Sequence, residues 1–183
     1  MKMLSMLSFV LHLAAAASAA PATMRAYVAT SPNCATQGFN ATFPVPQLGD
    51  LHRLYSGLPP SSLCECLVRV EASSVNPSDV HPTVAPGAAP HVMGSDVSGV
   101  VVATSGGAAC SGVHKGRINV GDRVFGDIGA NTLTSGGVKT KELGGYGEYA
   151  VALASQLGVV PSNIGFAEAA ALPKVRGWGA VAS

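Results

Sequence analysis

Charge is scarce in this chain. Eleven Lys and Arg and ten Asp and Glu make up 11% of its 183 residues, interspersed to a formal net charge of +1. A surface that tracks a phosphate backbone needs clustered Lys and Arg, and attachment to a membrane surface needs a polybasic run; neither occurs, which argues against nucleic acid as a partner. Cysteine is sparse too. Cys34, Cys64, Cys66 and Cys110 do not form two pairs at metal-ligand spacing, so a structural zinc lobe has no support. Cys64-Glu65-Cys66 sets two thiols on one face of a strand, where a mutual disulfide would be strained, and the four read as small buried or half-buried thiols. The longest apolar run, residues 3–17, is broken by Ser5, Ser8 and His12 and falls short of the ~20 residues of a membrane span. No G-x-G-x-x-G turn is found, because Ser105-Gly106-Gly107-Ala108 follows a strand without that spacing and opens no helix. A phosphate-binding P-loop, a Ser-His-Asp order and a paired-carboxylate arrangement are likewise missing.

What is abundant is apolar and small. Hydrophobic residues reach 48%, with 22 Gly and 12 Pro, a composition that favours strands and turns over long surface helices. The length suits one domain with a real core, plus appendages. Residues 1–22 read as a leader: Lys2, the apolar run, then Ala17-Ser18-Ala19 as a small-residue cleavage site before Ala20-Pro21. A secretory signal, an organelle-targeting leader and a false start all fit, since Met24-Arg25-Ala26-Tyr27-Val28 also serves as a start and first strand. A genuine leader implies a secreted or organellar protein, and a start at Met24 a cytoplasmic one. Fold reasoning begins at residue 24.

Residues 25–30 read as a short strand, and 31–60, rich in Pro, Gly, Asn and Thr, as loop with one or two edge strands. In 63–75, Cys66, Val68, Val70 and Ala72 alternate with Glu65, Arg69 and Glu71, the pattern of a half-buried strand. Asn76-Pro77-Ser78-Asp79 breaks it, and a Pro- and Ala-dense loop follows over 81–90. The β-branched run 97–104 reads as a buried strand, and 120–127 as a tight turn feeding another. Residues 128–143 read as a polar surface loop, 144–152 as a strand, and 166–172 as an Ala-rich helix closed by Pro173. The fold class is therefore mainly β (α+β), a compact barrel-like domain with short helices.

The order of these blocks resembles a known family. Cys66-Leu67-Val68-Arg69-Val70-Glu71-Ala72, Val75-Asn76-Pro77-Ser78-Asp79, Gly94-Ser95-Asp96-Val97-Ser98-Gly99, Val120-Gly121-Asp122-Arg123-Val124-Phe125-Gly126, Gly145-Tyr146-Gly147-Glu148-Tyr149 and Phe166-Ala167-Glu168-Ala169-Ala170-Ala171-Leu172-Pro173 stand in the sequence of the GroES-like domain of medium-chain dehydrogenases/reductases. The resemblance implies a partly open β-barrel over residues 24–173. It also implies that 174–183 begin a linker to a nucleotide-binding Rossmann domain absent from the chain. At Gly126-Asp127-Ile128 and the loop beyond, the chain is similar to quinone and alkenone oxidoreductases.

Alcohol-oxidising members hold a catalytic zinc by Cys and His. At the matching positions this chain has Asn76 and, in place of Gly-His-Glu, Gly94-Ser95-Asp96. The resemblance is thus to the zinc-free branch, in which NADPH passes hydride to a quinone or to the β-carbon of an enone. By that resemblance Asn76 is catalytic and cofactor-binding, Asp79 lies near the nicotinamide ribose, and His81 stands where a substrate-facing Tyr is common and could protonate an enolate. Each has a plainer reading: a turn residue before Pro77, an N-cap, a solvent-exposed His. Asp96 reads as structural, capping a turn or pairing with a basic residue. Of Tyr146 and Tyr149, at most one faces a cleft. The partners implied are a small quinone or enone and, by the same resemblance, a second copy in a homo-oligomer; the other class in view is a non-catalytic GroES-like interaction or quinone-sensing module.

Overall fold

Every second residue from Met24 to Val28 is buried, and the chain there forms an extended strand whose outer side chains, Arg25 and Tyr27, stay in water. The computed structural model describes residues 20–31, 36–49, 64–80, 90–105, 118–129 and 144–174, with only the backbone of Ser78 and Val80. Within them the strands are β1 (Thr23–Ala29), β2 (Gln37–Pro44), β3 (Glu65–Ala72), β4 (His91–Val92), β5 (Asp96–Thr104), β6 (Arg123–Asp127), β7 (Tyr149–Leu153) and β8 (Gly158–Val159). Two short helices, α1 (Pro77–Val80) and α2 (Phe166–Ala170), complete the regular structure with a 3-10 turn over Ala154–Gln156. The strands form two antiparallel sheets, ordered β2-β1-β4 and β7-β3-β5-β6-β8, which do not close on one another. The mainly β expectation holds.

The alternation read in β3 holds only in its second half. Arg69 and Glu71 are exposed, but Glu65, Cys66, Leu67 and Val68 are all buried. The reason is that the strand lies between β7 and β5 with a core on each face. Cys66 and Val68 join Val97, Val101, Val124, Ile128 and Leu157 on one side. Leu67 joins Met24, Ala26, Val28, Val92 and Val151 on the other, where the three-stranded sheet covers it. Glu65, expected on the open face, is instead 1% exposed, and its Oε2 accepts the Gly49 N–H at 2.5 Å. Ile128, placed by the sequence at the head of a surface loop, is 1% exposed and belongs to the first core. The strands β4 and β8, two residues each, carry too little pattern to read.

Not all the cysteines are thiols. Cys64, just before β3, is disulfide-bonded, whereas Cys66 is free and fully buried. The edge strand anticipated within 31–60 is β2. Helix α2 packs across β5, β3 and β6, and Arg123 ties its entry by donating to the Ile164 carbonyl at 3.0 Å and lying 4.6 Å from the Phe166 ring centre. No helix of the described residues is long and apolar enough to cross a membrane.

Candidate active site

Where β3 ends, the chain leaves the sheet as Ser73-Ser74-Val75-Asn76 and turns into α1. Pro77 at the first helical position presets φ and has no N–H to leave unpaired, so Asn76 becomes the residue that caps the helix. Asp79 sits three residues on. Its Oδ2 accepts the Asn76 backbone N–H at 2.8 Å, while its own N–H donates to the Asn76 carbonyl at 3.0 Å. This is the return half of a capping box, so Asp79 is a helix-start residue, though not itself the N-cap.

The same Oδ2 accepts the Tyr146 hydroxyl at 2.6 Å. Tyr146 reaches it from the turn before β7, where Gly144 adopts φ +103° and Gly145 donates to the Gly94 carbonyl. Gly94 is decisive here. Its φ is +89°, and a Cβ on it would lie 2.5 Å from Cδ1 of the Tyr146 ring, so only glycine admits the ring against that backbone. Of the two tyrosines, Tyr146 is the one that points into the site; Tyr149 packs against the second core.

Asn76 is held from its other end by Asp96. The amide Nδ2 donates to Asp96 Oδ2 at 3.0 Å and lies 3.4 Å from both Ser74 Oγ and Ser95 Oγ. Ser74 Oγ donates to the same Asp96 oxygen at 2.7 Å, and Ser73 Oγ to the Asp96 carbonyl at 2.6 Å. The partners of Asp96 are thus hydroxyls and an amide instead of a basic residue. Both carboxylates are buried, Asp79 at 2% and Asp96 at 0% exposure, and each keeps one oxygen, Oδ1, without a hydrogen-bond partner. Asn76 itself is half-buried and Val75 beside it is 79% exposed, so the cluster comes to the surface at this point.

Asn76 and Asp79 are therefore brought together, while His81 lies outside the described residues. Tyr146, Ser73, Ser74 and Ser95 were not singled out as site residues from the sequence. The available signal was the Gly144-Gly145 pair ahead of Tyr146 and the Gly94 turn, which together announce a close backbone approach.

Tyr146 also forms the back of an open groove of about 380 Å³ between the outer face of β1 and β2 and the end of β3. Tyr27, Phe39, Val70 and Ala72 line it together with the Arg25–Glu148 ion pair. Hydrogen bonding to Arg25 holds the Glu148 carboxyl below its ordinary value and raises that of the guanidinium.

Comparison with known proteins now decides the family. The model of the alcohol dehydrogenase GroES-like domain matches residues 63–162, which include β3, the Asn76 turn, β5 to β8 and Tyr146. The chain belongs to this family. Among curated relatives, this GroES-like domain is 33% identical over 114 residues to a 2-methylene-furan-3-one reductase of Solanum lycopersicum, covering 60% of this chain and 26% of that one. It is 36% identical over 119 residues to the dehydrogenase mokE of Monascus pilosus, covering 63% and 28%. A mycobacterial quinone oxidoreductase superposes with a TM-score of 0.55 at 26% identity, over 81% of this chain and 37% of that structure. The match thus spans about a quarter of the curated relatives' length.

Proposed function

We propose that residues 24–173 of this GroES-like protein are the substrate-side domain of a reductase that passes hydride from NADPH to a quinone or an α,β-unsaturated carbonyl, without a catalytic metal. The observation that carries this reading is the orientation of Asn76. Its NH₂ is committed to Asp96, Ser74 and Ser95, and its amide oxygen makes no hydrogen bond among the described residues, so that oxygen is the acceptor available to a ligand. That acceptor suits a ribose hydroxyl of a nicotinamide nucleotide better than an oxyanion, which narrows the role of Asn76 to cofactor binding.

Asp79 strengthens the fit. A buried acceptor without a partner costs about 1–3 kcal/mol, and its Oδ1 is in that state. A hydroxyl or amide donor from the cofactor would relieve it. When bound, the cofactor supplies the hydride. The chain's own residues hold and orient: Asn76 and Asp79 accept from the ribose side, and Tyr146 fixes the Asp79 carboxylate by its other oxygen. His81 is assigned the proton that the enolate takes up, on resemblance alone.

Two further points support this reading, the first its metal-free form and the second its acceptor. Ser95 and Asn76 stand where a zinc-binding pattern has His and Cys, and a hydroxyl and an amide closed on each other are poor zinc ligands. The tomato relative bears the name of a reductase of a 2-methylene-furan-3-one, itself a conjugated carbonyl.

The test uses dihydronicotinamide mononucleotide as well as NADPH, because the former carries the nicotinamide ribose without the adenine half. With 1,4-naphthoquinone or an enone as acceptor, absorbance at 340 nm should fall faster in the presence of the chain. EDTA should leave the rate unchanged, and Asn76→Leu should lower it by about tenfold or more. A rate that needs added zinc, an unaffected Asn76→Leu variant, or no acceleration with either donor would sink the reading.

A further inference from the structure

We infer that the groove beside Tyr146 is a binding site for a neutral, flat, conjugated ring that carries a hydrogen-bond acceptor. As a binding site it stands by itself; as the seat of the substrate's ring it rests on the reductase reading above.

Tyr27 and Phe39 are direct partners in the β1–β2 register, so their side chains rise from one face of the sheet with Cβ atoms about 5 Å apart. They are 42% and 68% exposed, two aromatic rings left side by side in water. Rings so spaced receive a third by offset or edge-on stacking, which contributes about 0.5–1.5 kcal/mol beyond burial. Val70 and Ala72 give an apolar floor and Tyr146 the back wall, around a volume of about 380 Å³ that suits a small molecule.

The charges decide against an ionic ligand. Both acids that line the groove are already paired, Glu148 with Arg25 at 2.5 Å and Glu71 with Arg69 at 3.0 Å. An anion or cation entering would meet no unmatched counter-charge among the described lining residues. The hydroxyls sort in the same way. Ser73 is bonded to the Asp96 carbonyl and Tyr146 to Asp79, whereas the Tyr27 hydroxyl makes no hydrogen bond among the described residues. It is the donor available to a ligand carbonyl. Because Tyr146 both walls the groove and grips Asp79, a ring seated there touches the side chain that holds the Asn76 turn.

2-Acetylnaphthalene, a flat neutral ketone with no redox chemistry of its own here, is the probe. Its binding is followed on the full chain by NMR of labelled Tyr and Phe rings. Saturable shifts should appear at Tyr27 and Phe39. Phe39→Ala, at an exposed edge-strand position that leaves the fold intact, should weaken binding by about tenfold. Tyr27→Phe, which keeps the ring and removes the donor, should weaken it by about fivefold. 2-Naphthoate and cyclohexyl methyl ketone should bind far less tightly. Naphthoate binding as well as the ketone, shifts confined to other residues, or no loss with Phe39→Ala would overturn the assignment. So would a concentration-dependent dimer that Phe39→Ala dissolves while the probe fails to bind, since that gives the face to a second copy of the chain. Asn76→Leu separates the two claims: probe binding that survives it with no hydride transfer in the parent chain sinks only the reductase, and turnover without groove shifts sinks only the groove.

Discussion

A single carboxylate oxygen, Asp79 Oδ2, receives both the Asn76 N–H and the Tyr146 hydroxyl. Removing one donor leaves a buried acceptor short of a bond. Tyr146→Phe keeps the ring on Gly94 and should therefore cost about 1–3 kcal/mol in urea unfolding with the fold retained; an unchanged midpoint would show that the bond contributes nothing. Cys66 gives a second residue-scale expectation. Burial first, then the Asp122 and Glu65 carboxylates, pushes its thiol up to about 12. The thiol stays protonated in the fold while the unfolded chain releases its proton near 9. Stability attached to this group is thus intact below about pH 9 and declines by about 1.4 kcal/mol per unit as the pH rises toward 12. Native protein at pH 8 should leave Cys66 unmodified by a thiol reagent, and Cys66→Ser should flatten the alkaline loss. At this scale the sequence singled out Asn76 and Asp79 because they stand in a recognisable motif, and the structure places them in contact. Tyr146 was in view only as one of two tyrosines that could face a cleft; its bond to Asp79 escaped the sequence because it joins a hydroxyl to a carboxylate 67 positions away.

Strands differ in how much of themselves they disclose. In β1, one face is core and the other solvent, so period-two alternation runs from Thr23 to Val28 and lapses only at the buried Ala29. Strand β3 has a core on both sides at its start, and there the alternation vanishes and a glutamate is buried. The sequence pattern, read as half-buried throughout, could not register this, since the second core is made by a sheet distant in the chain. Close approaches between elements were legible only as glycines without a stated purpose. A Cβ on Gly99 of β5 would collide with the Arg69 carbonyl of β3, and one on Gly94 with the Tyr146 ring. Gly94→Ala should accordingly lower stability by about 2 kcal/mol or more, through both the left-handed backbone and the displaced ring. Combined with Tyr146→Ala, which clears the space, part of that loss should return; no recovery in thermal melts would mean that backbone strain alone accounts for it.

At the scale of the whole molecule, the two sheets pack on each other through the core around Leu67 and, among the described residues, are stitched by backbone bonds along residues 146–148. Tyr146 N–H donates to the Met93 carbonyl, its carbonyl accepts from Tyr27, Glu148 N–H donates to the Arg25 carbonyl, and Gly147 bridges Ala26. Shared bonds of this kind couple the sheets, so unfolding followed by far-UV circular dichroism and by tyrosine fluorescence should give coincident transitions. Separate transitions would show that the three-stranded sheet melts alone. The Arg25–Glu148 pair adds a pH-dependent element. The Glu148 carboxyl is held low, so its contribution is present above the ordinary carboxylate range and fades as the pH falls through its lowered value. Being exposed, the pair should add little and less at high salt, and Glu148→Gln should remove that acid-limb slope. The family and the mainly β class were legible from six motif blocks in order; the two-sheet arrangement was not, because β4 is two residues long and β2 lies in a Pro- and Gly-rich stretch.

That residues 145–148 serve as both seam and wall of the proposed groove has a bearing on how such a protein can diversify. A change there alters folding and recognition at once, and selection would resist it twice over. Tyr27 and Phe39 are exposed and pair only with each other across the outer face of the sheet, so a change there disturbs the fold less. For the groove proposed above, preference for one small molecule over another would therefore be most easily rewritten from the edge of the three-stranded sheet, with the turn behind it untouched.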